Sequence, residues 1–389
     1  MPHVITPATP PASPAAPAAA SRAEARPARP TRDPWFDNAK MALVLLVVVG
    51  HAWTLLPQTE LNARLYDFLY AWHMPAFLVV TGYLSRSFTW ERTRLVRLVS
   101  TVAVPYVLFE AAMAVFRVHV GGEELDDLWR DPHWPMWFLA ALFFWRLLTP
   151  VFRPLRGGLP LAVAVSLAGG LWATDTLDLA RVMGFLPFFV LGLKMTPERW
   201  ERLRRPAAKA AGVVVLLAVW ALSAHTDRWA ATEWLYYRAR YDELAASDTE
   251  AFLIRAVLLA VGVAGALAFL ALVPRRGGWF ARMGAWTLVV YLFHGFAVKG
   301  ALYAGYADLA ARFPVGSLVL TSVLGAGLAL LLAWRPVATR LEPLVDPVGA
   351  VQRRLEHAHA LREAAIEAEV LADAVDQATS AREPAPAGQ

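Results

Sequence analysis

The chain has 389 residues, 57% of them hydrophobic, with 16 tryptophans and no cysteine, and its mean hydropathy is positive. The missing cysteine excludes disulfides, thiolate metal sites and a cysteine nucleophile. The apolar excess gathers in blocks of about 18–22 residues, long enough to cross a hydrocarbon core of about 30 Å, and the net charge of +5 is no sign of nucleic acid, because a polytopic membrane protein collects Lys and Arg on its cytoplasmic loops.

Residues 1–31 are rich in Pro and Ala with scattered Arg and are expected to form a disordered cytoplasmic tail rather than a signal peptide. Ten apolar spans follow, at roughly 39–56, 65–84, 95–116, 134–151, 159–173, 180–195, 207–224, 252–273, 283–304 and 316–334. Their apolar character is continuous rather than alternating, so they are helices and not barrel strands. The charges give an independent test of the count. With the N-terminus inside, the inner segments hold Arg22 to Lys40, Arg86 to Arg97, Arg153 and Arg156, Lys194 to Lys209, Arg275 to Arg282, and the cations from Arg335 onward. The outer loops carry far fewer cations and most of the acids: Glu123, Glu124, Asp126, Asp127 and Asp131 in one, Asp227, Glu233, Asp242, Glu243, Asp248 and Glu250 in another. This alternation follows the positive-inside rule and puts both termini in the cytoplasm. The expected fold is an all-α polytopic bundle at 32–340. An Ala/Glu-rich cytoplasmic helix and a frayed tail follow at 341–389.

An ionisable residue inside a span defaults to a functional reading. The first span contains KMALVLLVVVGH, from Lys40 to His51. Eleven steps at about 100° put these two residues on one face, about 16 Å apart along the axis. Asp37 falls near the same face, three positions before Lys40. In the second span, His73 of AWHMP lies about 12 Å below the outer surface. The third span starts with Arg94 and Arg97, level with Lys40, and carries Glu110 of PYVLFE in its outer half. In the fourth, HWPMWF reads as an interfacial aromatic belt and contains Trp137. The ninth carries His294 of YLFHG near its middle. If spans 1, 2 and 3 pack as sequential neighbours, His51, His73 and Glu110 converge at one depth.

Taken singly, each residue has an ordinary explanation: a histidine bridging two helices, or arginines anchoring a positive-inside loop. Together they form a base-capable end and a cationic end joined by one helix face. A neutral imidazole in a dry cavity is suited to taking a proton from a hydroxyl. A cationic mouth suits a polyphosphate such as coenzyme A, whose arm then runs along the face toward His51. No P-loop, G-x-G-x-x-G, G-x-S-x-G or metal cluster is present in the sequence. The same polar groups suit a transporter of a glycan, a lipid-linked sugar or an acyl group, although no repeat links the two halves of the chain.

Six stretches, RDPWFDNAKMALVLLVVVGHAW, YAWHMPAFLVVTGYLSR, RTRLVRLVSTVAVPYVLFE, WPMWFLAALFFWRL, RVMGFLPFFVLGL and TLVVYLFHGF, resemble the membrane-bound acyltransferase family 3, in its branch related to fucose 4-O-acetylase. The resemblance covers about residues 32–335. It implies an O-acyltransferase that moves an acyl group, usually acetyl, from a cytoplasmic acyl-CoA to a carbohydrate-type hydroxyl at the cell membrane, without a metal. The family's basic residue, ten residues and essential histidine fall on Lys40 and His51. Lys40 replaces the more common arginine, keeping the charge and losing the bidentate fork. The family's Arg-x-x-Arg falls on Arg94 and Arg97. The expected roles are then His51 as general base, Glu110 as its orienting partner or a second acid/base group and His73 as a supporting group, Lys40, Arg94 and Arg97 on the donor phosphates, and Asp37, His294 and Trp137 as substrate-binding residues. The expected partners are membrane lipid and a carbohydrate or glycolipid acceptor, with no nucleic acid.

Overall fold

The structure, a computed structural model, describes residues 33–125, 131–172, 174, 176–244 and 247–380. The predicted N-terminal tail and the end beyond 380 lie outside the described residues. The helical unit begins at Pro34, and no strand occurs among the described residues.

In chain order the helices are α1 (Pro34–Ala52), α2 (Glu60–Tyr70), α3 (His73–Ser85), α4 (Arg92–Leu98), α5 (Val104–His119), α6 (Trp137–Phe152), α7 (Gly158–Trp172), α8 (Leu179–Lys194) and α9 (Pro197–Leu203). They continue as α10 (Pro206–Ser223), α11 (Asp248–Leu272), α12 (Trp279–Met283), α13 (Thr287–Tyr303), α14 (Tyr306–Arg312), α15 (Pro314–Ala333), α16 (Arg335–Val345) and α17 (Pro347–Ser380). All ten predicted spans carry helix. Among the described residues, six segments are long and apolar enough to cross a membrane unaided: Pro34–Leu55, Arg92–His119, Thr176–Lys194, Pro206–Ser223, Asp248–Leu272 and Pro314–Ala333. A seventh forms if α13 and α14, bent by 68°, count as one span, while α6 and α7 are shorter apolar helices.

Two predicted spans are interrupted for local reasons. The second breaks between α2 and α3, where Pro75 sits in the first turn of α3 and has no amide to continue the ladder from Ala71. α2 also carries Glu60, Asn62 and Asp67, which makes it amphipathic rather than apolar. The third passes through a π-helical turn at Val99–Ala103. The amide of Val104 reaches back to the carbonyl of Val99, just before Pro105, which has no amide to donate.

The loops sort into two groups, as the charge alternation requires. At one end the Asn38 amide donates to the carbonyls of Pro274 and Arg276, at 2.9 and 3.0 Å. Arg86 donates to Met195 at 3.0 Å, and Lys194 to Leu155 at 2.6 Å. At the other end Thr232 donates to Asp67 at 2.8 Å and Arg238 pairs with Asp131 at 2.6 Å. In these contacts segments read as inner meet inner segments, and segments read as outer meet outer ones.

A close contact of α3 with α8 organises the core. Gly82 and Gly192 face each other with no room for a methyl group: a Cβ on Gly82 would lie 2.1 Å from the Phe189 carbonyl oxygen, and one on Gly192 2.2 Å from that of Val79. Small residues let membrane helices approach backbone to backbone. Phe188, Phe189, Val79 and Val80 close the core around this contact.

Beyond α5, Glu123 ties that helix to α13. It accepts from Arg117 at 2.6 Å and from Lys299 at 3.0 Å, and also from the Tyr303 hydroxyl. Partial burial alone would raise its pKa, but the hydrogen bonds from Tyr303, Arg117 and Lys299 outweigh it and lower the value from 4.5 to about 2. A carboxylate depressed on folding stabilises fully above its unfolded value and loses that contribution as pH falls through the folded one. We expect the melting temperature in detergent to fall between pH 4.5 and about 2, and Glu123→Gln to flatten that fall. Equal slopes for the two proteins would contradict this assignment.

Candidate active site

α1 presents Val44, Val47 and His51 on one face, at the three- and four-residue spacing of a helical stripe, and all three line a cavity of about 250 Å³. This is the face on which the sequence places Lys40. The cavity ends one turn short of that lysine. His51 is buried, with the Trp134 ring 4.5 Å away between centroids. Its Nδ1 lies 2.9 Å from Nε2 of His294, on α13.

His73 enters the cavity from the first turn of α3. Its Nδ1 lies 2.8 Å from the Leu69 carbonyl, across the break in the second span. Tyr70 packs edge-on to His73 at 4.7 Å and stacks on Tyr66 at 4.0 Å. The Tyr236 hydroxyl donates to that of Tyr66 at 3.0 Å. Opposite these rings stands Trp137, with the Arg181 guanidinium 4.9 Å from its centroid. One Arg181 nitrogen donates to both oxygens of the fully buried Asp178, at 3.0 and 2.9 Å. The cavity thus combines two imidazoles, a fixed cation and a wall of aromatic rings with hydroxyl edges.

The predicted residues do not all come together. His51, His73 and Trp137 come together as cavity walls. His294 reaches the site as the partner of His51 and not as a cavity wall. Glu110 is fully buried and turns to His133 rather than to His51. Its carboxylate accepts from the backbone amide of His133 at 2.7 Å and contacts the His133 ring. The cause is packing order. Phe293 and Phe296 of α13 pack against Phe109 and Phe116 of α5, at 5.1 and 5.4 Å between centroids. α13 also packs against α1, so a helix distant in sequence takes the place expected for the third span. Glu110 acts on the site by holding the segment that carries Trp134.

At the inner end, Lys40 pairs with Asp37 at 2.9 Å and donates to the Gly284 carbonyl at 2.9 Å. Asp37 therefore lies at the opposite end of α1 from the cavity's histidines. Arg94 and Arg97 are exposed, and Arg94 turns toward Ser87 and Glu91. The cavity, Lys40 and the two arginines thus form separate local environments.

Arg181, Asp178, Tyr66, Tyr70 and Tyr236 were not singled out in the sequence. Arg181 carried a signal: it is an ionisable residue inside the outer end of the sixth span. The tyrosines carried none, because Tyr66 and Tyr70 of α2 meet Tyr236 of a remote segment only in the fold. Among the described residues no group of three or more His, Asp or Glu has metal-binding geometry.

A family profile described as an acyltransferase domain (Acyl_transf_3) matches residues 33–335, from the start of α1 past the end of α15. The nodulation protein NolL of Sinorhizobium fredii (strain NBRC 101917 / NGR234) is 30% identical over 179 residues, which are 41% of this chain and 48% of the relative. The chain thus matches about half the length of that relative. No solved structure matches the chain.

Proposed function

Because the chain belongs to this acyltransferase family, we propose that it is an integral-membrane O-acyltransferase. It transfers an acyl group, in the first instance acetyl, from a cytoplasmic acyl-CoA to a hydroxyl of a carbohydrate-type acceptor. The observation that carries this reading is His51 in the wall of a cavity whose α1 side runs back toward Lys40. His51 accepts the acceptor's proton as its oxygen attacks the thioester carbonyl. The C–S bond then breaks and the thiolate recovers the proton from His51, so the imidazole ends as it began.

A cavity of about 250 Å³ admits the reacting ends of both substrates and not a whole coenzyme. The nucleotide end of the donor then stays near the cationic inner end, with Arg94 and Arg97 available to its phosphates and Lys40 closing α1 behind them. The rings of Tyr70 and Trp137 offer faces to the C–H groups of a sugar, and the remaining N–H groups of Arg181 offer donors to its oxygens. The protein is placed in the cell membrane with both termini cytoplasmic, on the strength of the charge alternation.

The reading is tested by supplying acetyl-labelled coenzyme A to proteoliposomes with membrane or cell extract as acceptor source. A labelled, base-labile ester supports it, and label remaining wholly on the coenzyme contradicts it. The donor end is tested separately. A charged hydrogen bond contributes about 1.5–3 kcal/mol and about 1.4 kcal/mol is tenfold in affinity. Arg94→Gln and Arg97→Gln are therefore each expected to weaken coenzyme A binding about tenfold and to reduce its salt dependence. Unchanged affinity by titration would reduce both arginines to membrane anchors.

A further inference from the structure

Two imidazoles from helices far apart in sequence meet at the cavity wall, and their hydrogen-bond partners determine which nitrogens carry hydrogen. Nδ1 of His294 lies 2.6 Å from the carbonyl oxygen of Tyr291 and 3.2 Å from that of Val290. A carbonyl oxygen only accepts, so this nitrogen carries a hydrogen. A neutral imidazole has one N–H, and Nε2 of His294 is therefore a bare lone pair. It faces Nδ1 of His51 at 2.9 Å. Two lone pairs at that distance repel, so Nδ1 of His51 carries the hydrogen and donates. Nε2 of His51 is then left bare, in a residue that lines the cavity.

We propose that His294 is a positioning residue that fixes His51 in the tautomer able to act as a base. This inference rests on the acyl-transfer reading for its catalytic consequence, although the tautomer itself can be observed without turnover. His294 does with an uncharged ring what the aspartate does in a Ser-His-Asp triad: it holds the base's other nitrogen as a donor. The buried carboxylate that sequence order suggested for this task, Glu110, is occupied by His133.

The dyad is itself held in place. The Tyr291 hydroxyl donates to the Pro135 carbonyl at 2.6 Å, which ties the α13 turn bearing the acceptor carbonyl to the segment bearing Trp134. The arrangement also closes the proton's route. The hydroxyl proton goes to Nε2 of His51 as the C–O bond forms, and returns from there to the thiolate as the C–S bond breaks. The hydrogen on Nδ1 of His294 stays on that nitrogen, donated to the Tyr291 carbonyl, so no proton leaves through the back of the dyad and none is needed from outside.

The test uses full-length protein with ¹⁵N-labelled histidine in nanodiscs, with the His51 signals assigned by their loss in His51→Gln. In the wild type His51 is expected to show hydrogen on Nδ1 and a bare Nε2. His294→Gln places an amide oxygen where Nε2 stood, and should keep the tautomer and hold kcat within about tenfold. His294→Leu removes the acceptor. It should mix or reverse the tautomer and lower kcat about 100-fold, with coenzyme A affinity unchanged. A wild-type His51 protonated on Nε2 would overturn the proposal, as would a His294→Leu protein with the native tautomer and rate. The expected tautomer in a wild type that transfers no acyl group would count against the acyl-transfer reading while leaving the dyad intact.

Discussion

His51→Ala should lower kcat for acyl transfer by at least about 10²-fold, since a positioned base contributes about 10²–10⁴, while coenzyme A still binds with near-native affinity. The separation of the two effects follows from the geometry. His51 stands at one end of the cavity face of α1, whereas the cations assigned to the donor phosphates stand at the other end. Truncation to alanine removes the lone pair that faces the acceptor and leaves Nε2 of His294 without its donor. It also removes a ring packed at 4.5 Å from Trp134, so some local loosening is expected. The rest of the α1 core, including Trp35, Leu43 and Val48, does not depend on this side chain. His51→Gln preserves much of the volume and separates the two contributions: it should fold as the wild type and remain as inactive as the alanine variant. A native rate in either protein would remove His51 from the mechanism.

Gly82→Val should be the most damaging single change to the fold. Its Cβ would lie 2.1 Å from the Phe189 carbonyl oxygen and 3.2 Å from Cα of Gly192. Both are main-chain atoms of a buried helix, so no side chain can rotate away. α3 and α8 must separate, and the contact is reciprocal, because Gly192 meets α3 backbone in the same way. Overpacking a well-filled core costs about 1–3 kcal/mol, and backbone against backbone puts this case at the upper end. Function should be lost with stability. α3 carries His73 and α8 carries Arg181 and Phe185, so separating the helices displaces two walls of the cavity. A suitable control is Gly327→Ala, where an added Cβ meets nothing within 4 Å and the change should be neutral or slightly stabilising. Thermal unfolding in detergent with a fluorescent reporter would show the difference. A Gly82→Val protein that melts with the wild type would mean that this contact does not hold the bundle together.

Much of α1 was legible in the sequence. The spacing from Lys40 to His51 places both on one face, and that face lines the cavity as far as Val44. Helical periodicity is a property of a single segment and needs no knowledge of its neighbours. The charge alternation was legible for a similar reason, since it reports only the side of the membrane on which each loop lies. Which helices touch was not legible. Sequential order suggested that the third span flanks the first, and α13 is there instead, which brings His294 to His51 and leaves Glu110 to His133. The contact that organises the core joins Gly82 to Gly192, two small residues with no local pattern to link them. Breaks inside spans were visible only in part. Pro75 and Pro105 mark the two interruptions, but a proline in a membrane helix is compatible with a straight continuation as well as with a break. Arg181 was the accessible omission, because an ionisable residue inside the outer end of an apolar span defaults to a functional reading.

The most direct test of acyl transfer is a mass and label balance on purified protein in proteoliposomes. These are supplied with coenzyme A carrying an isotope in the acyl carbonyl, with a membrane or metabolite extract as the source of hydroxyl compounds. The account predicts a new extract component heavier by one labelled acyl group. Mild alkali should release that group, free coenzyme A should appear in equal amount, and His51→Gln should abolish both. A compound that crosses the membrane with its mass unchanged and no coenzyme A released would contradict it, and would make the bundle a transporter.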